Sequence, residues 1–155
     1  MIASTANILN EMGATHPELP VINPQTLNQF ATKRELILKS GDALLGKIAE
    51  CFGIVVKRLH GNLSVETIRH HKLKGNGVMV RVNSSFYKNA LEIGNPAGTH
   101  FVAVAEVTAT EVIFIDPGRS LTKVAASFEK VNKILAIKDD IRVFEKIATN
   151  NIDQK

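Results

Sequence analysis

Two residues of this chain are spaced as a pair able to hold and move a proton. His100 opens a strongly apolar run, His100–Val107, and Asp116 directly follows a second, Val112–Ile115. Between them Thr108–Glu111 has the length of a hairpin loop. A hairpin brings the start of its first strand beside the end of its second, so His100 and Asp116 are expected to be neighbours across the sheet. An aspartate beside an imidazole accepts a ring N–H and so fixes the tautomer. The expectation here is that Asp116 holds Nδ1–H and leaves Nε2 as the base. Pro117-Gly118 then breaks the strand and keeps the carboxylate at its end. Either residue alone is an ordinary structural one; together they form the base-and-orienter half of a Cys-His-Asp arrangement.

The third member is harder to find. Cys51 is the sole cysteine. It falls near the end of a predicted helix, on or beside its apolar side, and reads as a small buried hydrophobe. Ser4 and Thr5 stand near the start of the first predicted helix, where hydroxyls are ordinary caps. One cysteine also excludes an intramolecular disulfide and a multi-cysteine metal site. His70 and His71 are sequence neighbours, which do not share a helix face, so no two-histidine metal site is expected there. No metal and no cofactor are expected.

The elements that must position the pair follow from capping and periodicity. Residues 2–12 place Ile2, Ala6, Leu9 and Met12 near one helical stripe, with Gly13 as the stop. Pro17 and Pro20 lie in a loop, and Asn23-Pro24 starts a second helix with Leu27, Phe30 and Ala31 inward. Ser40 can cap a third helix carrying Leu44, Leu45, Ile48 and Phe52, ended by Gly53. Ile54-Val55-Val56 is a short strand, and Ser64 caps a brief helix through about His71. Lys74-Gly75-Asn76-Gly77 turns the chain into strands Val78–Val82, His100–Val107 and Val112–Ile115. Val124–Ile137 is ambiguous, Ile141–Ile147 is a strand or short helix, and Glu145 to Lys155 reads as a fraying tail. Helices first and an antiparallel sheet afterwards argue for the α+β class.

The whole chain fits one domain of 155 residues, with 45% hydrophobic residues for a core. No apolar run approaches the roughly 18 residues of a membrane span, and no secretory signal is seen. The net charge of +4 is concentrated. Lys57, Arg58, Arg69, Lys72, Lys74 and Arg81 share their stretch with a single acid, Glu66. A solvated basic face is the plain reading; a phosphate or acidic partner is the other. No aromatic ladder accompanies the charges, so nucleic acid is not an expected partner.

At this point the segments resemble a known family. Gly98-Thr99-His100-Phe101-Val102-Ala103-Val104, a short hairpin, and Val112-Ile113-Phe114-Ile115-Asp116-Pro117-Gly118 are similar to the His and Asp segments of the bacteriocin-processing (double-glycine leader) cysteine peptidases and their papain-fold relatives. Ala6–Gly13 resembles their nucleophile-bearing helix, Asn23–Asn28 the Pro-x-x-Leu-Asn helix after it, and Gly77–Val82 the strand before the histidine. The likeness covers roughly residues 2–120. It implies a papain-like fold over residues 1–148, N-terminal helices packed on an antiparallel sheet, with 149–155 a polar tail. It also implies His100 as general base and Asp116 as orienter.

The nucleophile does not carry over. Counting back from Gly13, the family's cysteine falls just before Met1; a replacement at Ala3 requires a shifted helix spacing. The expectation is therefore a catalytically incomplete peptidase-like domain that binds a peptide or protein partner or serves as a structural module. A larger assembly such as a phage particle is one setting for it, and the expected location is the cytoplasm or a virus particle. The alternative expectation is an active peptidase whose cysteine lies just upstream of Met1.

Overall fold

A computed structural model describes residues 2–13, 25, 27, 41–83, 99–116 and 122–147. Helix α1 spans Ile2–Gly13 and α2 spans Gly41–Cys51. Gly53, at φ +66°, turns the chain out of α2, a left-handed conformation that favours glycine. Strand β1, Ile54–Leu59, leads to helix α3, Val65–Leu73. At its start the Thr67 hydroxyl accepts from the Ser64 N–H at 3.1 Å, the return half of a capping box. Gly75, at φ +78°, then turns the chain into β2, Gly77–Asn83.

Strands β3, Thr99–Val107, and β4, Glu111–Asp116, form the expected hairpin. Its turn is closed by Thr108, whose N–H donates to the Glu111 carbonyl at 2.8 Å and whose Oγ1 accepts from the Glu111 N–H at 2.9 Å. The ambiguous stretch resolves into two elements: β5, Thr122–Ser127, and helix α4, Phe128–Lys138. The switch occurs at Ser127, whose side chain caps α4 by accepting from the Lys130 N–H at 3.3 Å. Asp139, in the left-handed region, ends that helix, and β6 follows as Ile141–Lys146.

Among the described residues, six strands make one antiparallel sheet in the order β1-β6-β2-β3-β4-β5. The last described strand is thus second from the β1 edge, inserted between β1 and β2. Each face carries its own core. On one, α1 and α2 pack Ile8, Leu9, Met12, Leu45 and Ile48 against Met79, Ala103, Ile115 and Phe144. On the other, α3 and α4 pack Val65, Ile68, Val131 and Leu135 against Val80, Val102, Val104 and Phe114. Gly77 permits the close approach of α1: a Cβ there would meet Ile8 Cγ2 at 2.3 Å and Met12 Sδ at 3.1 Å.

The architecture is α+β, but the helices are not confined to the N-terminal half. A second helical layer, α3 and α4, covers the opposite face, because β2 and β3 are apolar on both sides and neither side can be left in water. The tail also begins later than expected. Glu145 and Lys146 belong to β6, and the Ile147 N–H donates to the Gly53 carbonyl at 2.8 Å. Gln25 is helical and exposed, and Leu27 is helical and buried, on the expected second helix. Asn23, Pro24, Phe30, Ala31, Ser40, Pro117, Gly118 and 149–155 lie outside the described residues.

Candidate active site

His100 is the second residue of β3 and Asp116 the last of β4, so both stand where their strands leave the sheet. Ala103 pairs with Ile115, and continuing that register sets Asp116 across from Val102, two residues from His100. The two are therefore diagonal neighbours, on a span of about 7–8 Å between backbones. The imidazole bridges it with its distal nitrogen: His100 Nε2 lies 2.8 Å from Asp116 Oδ1. This reverses the expected ring orientation. Nδ1 sits next to the histidine's own Cβ and has too little reach for a diagonal partner. The Asp116 carboxylate is 3% exposed while the His100 side chain is 36% exposed, so the pair has a dry end and a wet end. With its Nε2–H donated to the carboxylate, the ring presents Nδ1 as its basic nitrogen.

Strand alternation gives His100 and Asp116 the parity of Val102, Val104 and Phe114, the face packed by α3 and α4. Helix α1 crosses β2, β3 and β4 on the other face. A group carried by α1 would reach His100 around the strand ends, not through the sheet.

The candidate nucleophiles are placed differently from the expectation. Cys51 is exposed, not buried, because at 100° per residue it falls to the side of the buried stripe that Leu45, Ile48 and Ala49 form on α2. It is also remote. Val56 pairs with Phe144 and Phe144 with Gly77, so the Cys51 end is the end where β2 starts; His100 pairs with Val82, where β2 finishes. Five strand residues at about 3.3 Å and three strand spacings at about 4.8 Å put the thiol roughly 20 Å from the imidazole. Thr5 is fully buried in α1, and the Ser4 side chain lies outside the described residues. Among the described residues, no cluster of three or more His, Cys, Asp or Glu has the placement to hold a metal ion.

The basic stretch is extensively matched by acids. Lys57 pairs with Glu145 at 2.6 Å and Arg69 with Glu66. Arg58 and Arg81 turn toward Asp140, at 3.3 and 3.8 Å, and Arg142 binds the other oxygen of the same carboxylate. Sequence reading missed this centre, since Asp140 lies far from the basic stretch in the chain. Its signal is Asp140 two residues before Arg142, at the entry to β6. No helix among the described residues is long and apolar enough to cross a membrane.

No protein-family model matches the chain, and no curated protein matches it. Among solved structures, the chain is similar to a crystal structure described as that of a C39-like peptidase from Bacillus anthracis. The TM-score is 0.51 and the sequence identity 16%, over 67% of this chain and 58% of that one. The chain thus spans well under two thirds of the length of that protein. The fold is accordingly an α+β, papain-like one of the C39-like peptidase type.

Proposed function

We propose that this domain is a peptidase-like module that retains the base and orienter, His100 and Asp116, with no nucleophile set against them among the described residues, and that it binds a peptide or protein partner. The observation that carries the reading is the 2.8 Å His100–Asp116 contact in a chain whose single thiol lies on the far side of the sheet. A base with no nucleophile to activate transfers no acyl group. The same pair can instead contribute to a binding surface: the buried carboxylate fixes a ring whose side chain is 36% exposed at the end of the sheet. A structural role in a larger assembly is the same proposal with a permanent partner.

A panel of short peptides incubated with the full chain tests this reading by fluorescence anisotropy and mass spectrometry. Binding without cleavage, weakened by His100→Ala, is expected. Cleavage that His100→Ala abolishes would instead support the second reading, an active cysteine peptidase whose thiol is supplied from a segment ahead of Met1. The retained contact between His100 and Asp116 favours that reading. A translated cysteine codon directly upstream of Met1 would decide for it.

A further inference from the structure

Arg58 of β1 stands directly opposite Arg142 of β6, and both project toward the α1/α2 face. Two like charges facing each other across a ladder are unfavourable. Asp140 offsets this arrangement from within: its carboxylate is 1% exposed, and Oδ2 is held by charge at 3.3 Å from Arg58. The Arg142 guanidinium also lies over the Phe101 ring, 5.6 Å from its centroid, which fixes the plane of the fork.

Beside these groups a cavity of about 210 Å³ opens between α2 and the sheet, lined by Leu45, Gly46, Val56, Arg58 and Arg142. Among the described residues its charged wall consists of two guanidiniums, groups with five N–H donors each and no acceptor. Arg58 directs Nη2 to Asp140, and its side chain is 51% exposed, so the cavity is open to solvent on that side. The other described lining residues, Leu45 and Val56, are aliphatic, and at Gly46 an added Cβ would meet nothing within 4 Å. A group seated here must accept hydrogen bonds and carry negative charge. Planar guanidiniums match the two coplanar oxygens of a carboxylate, and Leu45 and Val56 suit the methylenes behind it. The volume is below the roughly 300–1,000 Å³ of sites for drug-sized ligands. It suits one side chain or one chain end.

We propose that this cavity is a carboxylate-binding subsite, taking an acidic side chain or the C-terminal carboxylate of a peptide. The peptide as source rests on the function proposed above; the carboxylate chemistry does not.

The test is a titration of the full chain, labelled with ¹⁵N at arginine, followed by the Nε–Hε signals. Four probes are compared: N-acetylglutamate amide for the side-chain source, N-acetylglycine for the chain-end source, N-acetylglutamine amide as neutral control, and inorganic phosphate. Saturable shifts of the Arg58 and Arg142 signals by either carboxylate, with none from the glutamine compound, are expected. The tighter carboxylate names the source. Arg58→Gln is expected to weaken that binding at least tenfold. Gly46→Leu, which fills the cavity from an exposed helix position, is expected to abolish it without lowering the melting temperature. No saturable shift, or unaltered binding to a folded Gly46→Leu protein, overturns the subsite. Phosphate binding tighter than both carboxylates overturns the ligand class. Peptides that bind equally well with acidic groups amidated overturn the subsite and leave the peptide-binding reading standing.

Discussion

Asp116 receives the distal nitrogen of His100: Nε2 meets Oδ1 at 2.8 Å across a diagonal of the β3–β4 ladder. The two ends of this contact differ in exposure, and that sets an asymmetry. His100→Ala removes a donor from a carboxylate that is 3% exposed, whereas Asp116→Asn keeps an acceptor oxygen and frees only a ring that water can reach. His100→Ala is expected to cost about 1–3 kcal/mol and Asp116→Asn less than about 1 kcal/mol. Urea denaturation of both variants measures the difference; equal costs would contradict it.

Cys51 is exposed at the end of α2, on the far side of the sheet from His100. Iodoacetamide is expected to label it in the native protein, at a rate that His100→Ala leaves unchanged. Mass spectrometry of timed samples reads the rate. A His100-dependent rate would show that thiol and imidazole communicate.

Gly77 and Ile8 are in close contact between α1 and β2. Gly77→Ala places a methyl 2.3 Å from Ile8 Cγ2, with Phe144 Cβ behind it at 3.2 Å. Backbone and core leave little room to yield, so a loss of about 1–3 kcal/mol is expected. In the double variant with Ile8→Ala the clash is removed, and its loss should be smaller than the sum of the single losses. Additive losses would mean that the helix shifts to accommodate the methyl.

Asp140 is 1% exposed and binds Arg142, itself buried at 4%. Asp140→Ala leaves a guanidinium in the core without this partner and is expected to cost about 3–5 kcal/mol. The exposed Lys133–Glu129 pair on α4 provides the contrast: Glu129→Gln should produce no measurable change. Thermal melts in low and high salt test both, since burial protects the first pair from screening.

The His71 ring is held below its ordinary pKa of 6.5 by burial and, next, by the neighbouring His70. A histidine lowered in the folded state binds fewer protons there than in the unfolded chain. Stability therefore rises with pH through the region at and just below 6.5, and falls as acid protonates the unfolded ring first. Denaturation midpoints between pH 5 and 8 should show this slope, and His71→Gln should flatten it.

Much of the fold was legible because it is written locally. Ser64, Gly53 and the Lys74–Gly77 turn mark element ends through side-chain chemistry and backbone conformation. The β3–β4 hairpin follows from two apolar runs four residues apart. What failed is set by contacts distant in sequence. Val124–Ile137 mixes apolar residues with Glu129, Lys130, Asn132 and Lys133, and the cap at Ser127 separates strand from helix. Ring orientation at His100 depends on a diagonal register that spacing cannot supply. Cys51 has apolar neighbours in sequence, yet its helical phase sets it beside the buried stripe of Leu45, Ile48 and Ala49 and not in it. The shared partner of Arg58 and Arg81, Asp140, lies just before β6, 82 and 59 residues further along the chain.

The placement of β6 also constrains how the protein comes into being. Ile141–Lys146 bonds to β1 on one side and β2 on the other, so the two halves of the sheet are joined only by a segment made after both. During synthesis β1 must wait, its pairing edge unfilled, until nearly all the described chain has left the ribosome. Contacts this distant in sequence slow folding. The waiting edge is a site where a nascent chain can pair wrongly with another, and a chaperone that shields extended apolar strands would find its substrate there.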